Sequence, residues 1–375
     1  HFELAEKAAL NSIVLLKNNN NILPLNLNKK IAVIGPLGND SDTPLGNWRG
    51  QGDQNSAVSL FEGMKDIFKN HTINYTKGCD LSIGNNNFFE ELKINNNDKT
   101  GFKEAIQLAK SSDIVVMALG EPAFMSGEGR SRADIGLPGL QLDLLKEVYA
   151  VNRNIVLVLM NGRPMTLNWE NEHIPAIVET WHLGSRAGTA IAKVLIGEHN
   201  PSGKLTMSFP KHVGQLPIYY NHKNTGRPTS SPNQVFYSHH TDIDNSPLYP
   251  FGHGLSYSSF DYSEITLSND SLSFKSNIEA SVEITNSGNY DGNEVVQMYI
   301  TDHFASVTLP NIELKGFSKI HLKKGETKKV TFQINSDLLR FYNSSNNFIA
   351  ESGIFSVKIC SSSAEGNVKS FELYQ

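Results

Sequence analysis

Between residues 30 and 210 short apolar runs alternate with segments of helical period. The runs are "IAVIG" (31–35), "TINYT" (72–76), "IVVMALG" (114–120), "NIVLVLM" (154–160) and "AIVETW" (176–181). Each has strand length and little internal alternation, the pattern of strands buried on both faces. Between them, "LQLDLLKEVYAV" repeats Leu140, Leu144 and Val148 at helical spacing, and "SRAGTAIAKVLIG" predicts a second helix that stops near Gly197. The chain opens on "FELAEKAALNSIVLLKN", which predicts one more helix. Strands alternating with helices imply a mainly parallel sheet covered on both sides. In such sheets function gathers in the loops beyond the carboxyl ends of the strands. Four loops qualify: "PLGNDSDTPLGNWRGQGD", "EPAFMSGEGRSR", "NGRP" and "HLGSR".

After residue 200 the texture changes. Seven of the fifteen prolines fall between Pro201 and Pro250, which favours extended, irregular chain over helix. Tyr219, Tyr220, Tyr237, Tyr249 and Phe251 suggest that this stretch lies along a surface. From about 257 a period of two takes over. In "NIEASVEITN", Ile278, Ala280, Val282 and Ile284 share one face while Glu279, Ser281, Glu283 and Thr285 share the other. "EVVQMYI", "KKVTFQIN" and "GIFSVKI" behave likewise, separated by turn-like segments, so an antiparallel β-sandwich is expected. The expected division is a connector helix and linker over 1–29, an α/β domain over 30–212, an ordered proline-rich linker over 213–256 and a β-sandwich over 257–375.

Composition narrows the functional classes. With 39% hydrophobic and 19% charged residues the chain is an ordinary folded protein. A net charge of −5 argues against nucleic acid or an anionic membrane as partner, because both require a basic face. No apolar run approaches the roughly 20 residues that span a bilayer. Cys79 and Cys360 fall in different expected domains and are expected as isolated thiols. The chain starts at His1 and shows no signal peptide, so it has the look of a mature or excised portion of a longer polypeptide.

Most catalytic motifs can be set aside. "IAVIGPLGND" lacks both the three-glycine dinucleotide spacing and a phosphate-loop lysine. No Gly-x-Ser-x-Gly elbow occurs. His239 and His240 are adjacent and without a cysteine or carboxylate cluster, so neither a metal nor a cofactor is expected. Carboxylates remain: Glu121 at a strand end, Glu128 between Gly127 and Gly129, and Asp134 behind Arg130 and Arg132. On residue type alone a loop glutamate beside arginines is either a solvated surface group or a proton donor whose flanking glycines allow close approach to a ligand. Trp48, in a polar loop on the same expected edge, is either a plug for the core or a flat platform for a sugar ring.

Longer motifs favour one side of those pairs. "GEPAFMSGEGRSRADIGLPGLQLDLL", "VLVLMNGRPMTL", "IAKVLIGEHNPSGKLTMSFP" and "YPFGHGLSYSSFDYS" together resemble the C-terminal half of glycoside hydrolase family 3, of the β-glucosidase type. "IELKGFSKIHLKKGETKKVTF" and "FIAESGIFSVKI" are similar to the fibronectin type III-like domain that ends many such enzymes, and "AEKAALNSIVLLKNNNNILPLN" to the connector after the family's first domain. The resemblance implies an α/β sandwich followed by an all-β fibronectin type III-like sandwich. It also implies a retaining, exo-acting β-glucosidase whose nucleophilic Asp lies on an N-terminal (β/α)8 barrel that this chain does not contain. Glu128, in "SGEGRSR", then corresponds to the general acid/base, Trp48 to an aromatic wall for the leaving group, and Arg130, Arg132 and Asp134 to residues that organise the loop. The implied partners are a β-linked gluco-oligosaccharide or aryl glucoside and the barrel itself, with a homodimer left open. β-Xylosides stay open as substrates, as does a non-catalytic carbohydrate-binding or scaffold module. The family's habit implies a periplasmic or secreted location.

Two further expectations follow. A general acid must hold its proton until needed, and arginines touching the carboxylate would oppose that. Arg130 and Arg132 are therefore expected to point away from Glu128, toward Asp134. Relatives commonly read Gly-Thr-Glu-Gly-Gly where this sequence has "LGSRAG", which places Arg186 at a usually acidic position and bears on the salt bridge that organises the domain interface. By itself the chain is expected to be unable to complete turnover.

Overall fold

The computed structural model describes residues 1–68, 73–84, 87–228, 235–364 and 366–375. The chain divides into two compact units. The first comprises His1–Lys204, Phe209–Gly214 and Gly254–Tyr257, and the second Leu205–Ser208, Gln215–His253 and Ser258–Gln375.

The first unit is built on a six-stranded sheet. Its strands are β1 (Val14–Asn18), β2 (Ile31–Ile34), β3 (Ile73–Thr76), β4 (Ile114–Gly120), β5 (Ile155–Met160) and β6 (Ala176–Glu179), in the order β1-β6-β5-β4-β2-β3. All neighbours are parallel except β1, which pairs antiparallel with β6. The helices are α1 (Phe2–Ser12), α2 (Leu60–Ile67), α3 (Phe102–Lys110), α4 (Gln141–Val151), α5 (Asn168–His173) and α6 (Ala187–Leu195). Every residue of β2, β4, β5 and β6 is buried, as continuous apolar runs between two helical layers require. On one face Ala9 of α1, Leu60 and Met64 of α2, and Ile191 and Val194 of α6 join Val33, Val116 and Val158 in a single core. On the other, α3 and α4 lie against each other and against β2, β3 and β4. Each fully buried aliphatic side chain here contributes about 1.5–3 kcal/mol.

Two expectations change in this unit. The opening segment is not one helix through residue 18. Ile13, Val14, Leu15 and Leu16 are at most 2% exposed, and the run turns extended after Ser12 to form an edge strand. A four-residue apolar run of this kind serves a buried strand as well as a helix, and the free edge of β6 decides it. Residues 14–18 of the expected connector thus form part of the sheet. The strand expected over 72–76 is observed as Ile73–Thr76, with residue 72 outside the described residues.

In the second unit the strands are β7 (Phe260–Tyr262), β8 (Thr266–Leu267), β9 (Ser271–Ser273), β10 (Asn277–Asn286), β11 (Gly292–Asp302), β12 (Glu313–Leu322), β13 (Thr327–Asn335), β14 (Phe341–Tyr342), β15 (Phe348–Ile349), β16 (Gly353–Cys360) and β17 (Asn367–Tyr374). One sheet orders them β13-β10-β7 with β8 also on β10, and the other β12-β11-β16-β17-β9. The core between them takes the inward residues Ile278, Val282 and Ile284 of β10 together with Val296, Met298, Phe355 and Val357. The alternation in "NIEASVEITN" is thus that of core and solvent at Ile278, Ala280, Val282 and Ile284 against Glu279 and Glu283, while Ser281, expected on the outer face, is buried. Most of the expected linker belongs here too, with 229–234 outside the described residues. Tyr220 stacks on Phe251 at 4.2 Å and meets Tyr299 edge-on at 6.0 Å, so these aromatics pack as expected, whereas Tyr219 and Tyr237 are exposed. Cys79 and Cys360 are buried thiols outside any disulfide, in separate units.

Candidate active site

Because β2, β4, β5 and β6 run parallel, the four loops that follow them emerge on one edge of the sheet. The structure brings them into contact. A side chain on Gly127 would place its Cβ 1.9 Å from Asn47 Nδ2, which joins the loop after β4 to the loop after β2. The backbone there has φ +122°, open to glycine alone among common residues. A Cβ on Gly162, after β5, would lie 2.1 Å from Ser126 Oγ and 3.3 Å from His182 Cε1, after β6.

Glu128 lies at the exposed tip of the loop after β4, in the turn closed by Arg130 N donating to the Gly127 carbonyl at 3.2 Å. Among the described residues its carboxylate has no hydrogen-bond or ion-pair partner. Both arginines turn away from it, though not to Asp134 as expected. Arg130 donates to the backbone carbonyls of Phe88 at 2.6 Å and Glu90 at 3.3 Å. Arg132 donates to Glu121 Oε1 at 2.7 Å and to the Gly136 carbonyl at 3.1 Å. Asp134 instead closes a local turn, accepting from Gly136 N at 2.8 Å. Its carboxylate is exposed, whereas Glu121 is fully buried and demands the cation.

Trp48 is 68% exposed, which removes the core-plug alternative. Its loop is fixed from below. Asp40 accepts from Thr43 N and Oγ1 at 3.0 and 2.7 Å, Arg49 pairs with Asp42, and the Arg49 guanidinium lies 4.8 Å over the Phe124 ring. Through Asn47 and Gly127 this Trp-bearing loop packs directly on the Glu128 loop.

Beneath the tip lies a layer that residue types alone did not disclose. Glu121 binds a second cation, with Arg163 Nε at 3.0 Å from Oε1 and 3.1 Å from Oε2. Arg163 Nη2 also donates to the carbonyls of Met125 and, at 2.8 Å, Arg130. Glu179 is buried at the end of β6, accepting from Asn161 Nδ2 at 3.0 Å and from Trp181 N at 2.8 Å. Burial pushes its carboxyl up to about 8, outweighing those two donors, with the Glu121 charge adding to the rise. Burial also lowers the pKa of His182, against the opposing pull of Glu121. Arg163 stands in the "NGRP" loop already placed on this edge, so its position was readable while its partner was not. Gln141 completes the support, donating to the Gly120 and Pro138 carbonyls and accepting from Gly120 N. Among the described residues no three His, Cys, Asp or Glu side chains gather as metal ligands, and no helix is long and apolar enough to cross a membrane.

Arg186 pairs inside this unit with Glu6 of α1, at 3.2 Å, beside a second partner, Lys193. The hydrogen bond from Lys193, reinforced by Arg186, holds the Glu6 carboxyl below the ordinary carboxylate range.

The first unit is thus a buried α/β sheet that presents the Glu128 carboxylate, partner-free among the described residues, and the exposed Trp48 indole on a common edge. Residues 13–257 match the glycosyl hydrolase family 3 C-terminal domain and residues 294–363 a fibronectin type III-like domain. The chain belongs to glycoside hydrolase family 3. It is 43% identical to a periplasmic β-glucosidase of Salmonella typhimurium and 40% identical to a β-xylosidase of Formosa agariphila, in each case over 100% of this chain and 50% of the relative. The crystal structure of a β-glucosidase from Listeria innocua in complex with glucose superposes with a TM-score of 0.89 at 35% identity, over 99% of this chain and 49% of that one. The chain thus spans about half the length of the relatives it matches.

Proposed function

We propose that the chain supplies the general acid/base to a retaining, exo-acting β-glucosidase that removes terminal non-reducing β-D-glucosyl residues. Glu128 is the acid/base and Trp48 the wall against which the leaving group rests. The nucleophilic Asp and most of the sugar pocket belong to an N-terminal (β/α)8 barrel, consistent with relatives about twice as long. The observation that carries this reading is the state of Glu128: an exposed carboxylate free of partners among the described residues, on a loop anchored on both sides that adjoins the loop of the exposed Trp48.

In the first step the barrel Asp attacks the anomeric carbon while Glu128 passes its proton to the departing glycosidic oxygen. The C–O bond breaks and a covalent glycosyl-enzyme forms. In the second step Glu128, now a carboxylate, takes a proton from water as the water oxygen displaces the Asp, which returns both groups to their starting states. A retaining geometry sets the two carboxyls about 5–5.5 Å apart, so the exposed tip of the Glu128 loop must approach the barrel mouth. The product leaves with its β-configuration kept. The 40% identity with a β-xylosidase favours β-xylosides as a second substrate class. A periplasmic or secreted location accords with the periplasmic relative.

The test is Glu128→Ala in an active preparation that contains both this chain and the barrel. Turnover of a disaccharide is expected to fall about 10²–10⁴-fold, whereas kcat/KM for a 2,4-dinitrophenyl glucoside should fall far less, because kcat/KM reports the first step and that leaving group departs without a proton. Equal rates for variant and parent on both substrates would instead favour a scaffold role.

A further inference from the structure

Resting on the assignment of Glu128, we propose that Arg163 is the positioning residue for the acid/base, held in place by the buried carboxylate of Glu121. Glu121 is 0% exposed, and a carboxylate buried without cationic partners is costly to the fold. Two cations meet it, Arg132 at 2.7 Å and Arg163 at 3.0 Å. Each guanidinium then has donors left over, and both direct them to backbone carbonyls of the loop after β4. Arg163 takes Met125 and Arg130, and Arg132 takes Gly136.

The placement of those carbonyls gives the cluster its consequence. Met125 stands three residues before Glu128 and Arg130 two after it, so one guanidinium ties down both ends of the segment that carries the acid/base. Between the tied points Gly127 and Gly129 both have positive φ, +122° and +69°. A short tip between two fixed ends can present Glu128 at one height above the sheet, and the flat Arg163 fork sets that height. Lysine would keep a charge for Glu121 but lacks the planar fork that reaches the carboxylate and both carbonyls together. A shift of about 1 Å in a catalytic group costs on the order of 10²-fold in rate, so a conservative change at a residue that never meets the substrate should register in catalysis.

Arg163→Lys in the barrel-containing enzyme tests this. Turnover of the disaccharide should fall about tenfold or more with KM nearly unchanged, and kcat/KM for the dinitrophenyl glucoside, which reports the step that needs no acid, should change little. In a Glu128→Ala background the same substitution should cause no further loss on the disaccharide. Equal losses on both substrates, or a full additional loss in the Glu128→Ala background, would overturn the proposal and leave Arg163 as a general support of the fold. Should Glu128→Ala alone prove harmless, the acid/base assignment fails, and the positioning role with it. A readout without turnover uses the 375-residue chain itself: Arg163→Lys should speed amide hydrogen exchange at 125–132 while the strands keep their protection. Unchanged exchange there would also overturn the proposal.

Discussion

Glu179 is a carboxyl whose charge is costly in this fold. Its ordinary value is near 4.5, and burial raises it to about 8. Below pH 4.5 the folded and unfolded states are both protonated and the group is neutral to stability. As pH climbs toward 8 the unfolded chain releases a proton that the folded chain keeps, so stability declines by up to about 1.4 kcal/mol per pH unit. Above 8 both states are ionised and the penalty is constant. Glu179→Gln cannot ionise, so its stability relative to the parent should rise between pH 5 and pH 8 by a few kcal/mol. Urea unfolding at the two pH values measures this, and parallel changes in both proteins would contradict it. Trp48 makes a contrasting case. Being exposed, its replacement by Ala should move unfolding free energy by no more than about 0.5 kcal/mol, yet raise KM for aryl glucosides several-fold. An unchanged KM would remove it from the leaving-group site.

At the scale of elements, α1 is held by a charge cluster that α6 and the turn before it provide. Glu6 meets Arg186 and Lys193, and its side chain is only 16% exposed. Glu6→Ala should therefore loosen α1 selectively, with faster amide exchange over residues 2–12 and a cost of about 1 kcal/mol. Uniform exchange rates would show that apolar packing around Ala9 suffices. Elements were legible in the sequence wherever a pattern is local. The runs at 31–35, 114–120 and 154–160 are strands because uninterrupted apolar residues can be satisfied only between two layers. Parallel strands then oblige their following loops onto one edge, which is why the neighbourhood of Glu128 and Trp48 was readable before any coordinate. The partners of Arg132 and Arg163 were not. Glu121 belongs to one loop and Arg163 to another, 42 residues on, and no local period encodes a pairing across that gap. The strand at Val14–Asn18 escaped for a related reason, since only the open edge of β6 selects it over a continued helix.

At the scale of the whole molecule, a chain that spans about half the length of the relatives it matches carries an α/β unit and a fibronectin type III-like domain and, with Glu128 as acid/base, part of an active site. The pure 375-residue chain should accordingly fold cooperatively and show no glucosidase turnover, and robust hydrolysis by it would locate a nucleophile within these residues. The most direct test of Glu128 uses azide on the Glu128→Ala enzyme with its barrel and a dinitrophenyl glucoside. Once the activated leaving group has departed, the glycosyl-enzyme waits for a base that is no longer there, and a small anion can attack where water cannot. Turnover should be faster with added azide, with β-glucosyl azide as the product. No acceleration, or an azide of inverted configuration, would contradict the assignment of Glu128 as acid/base.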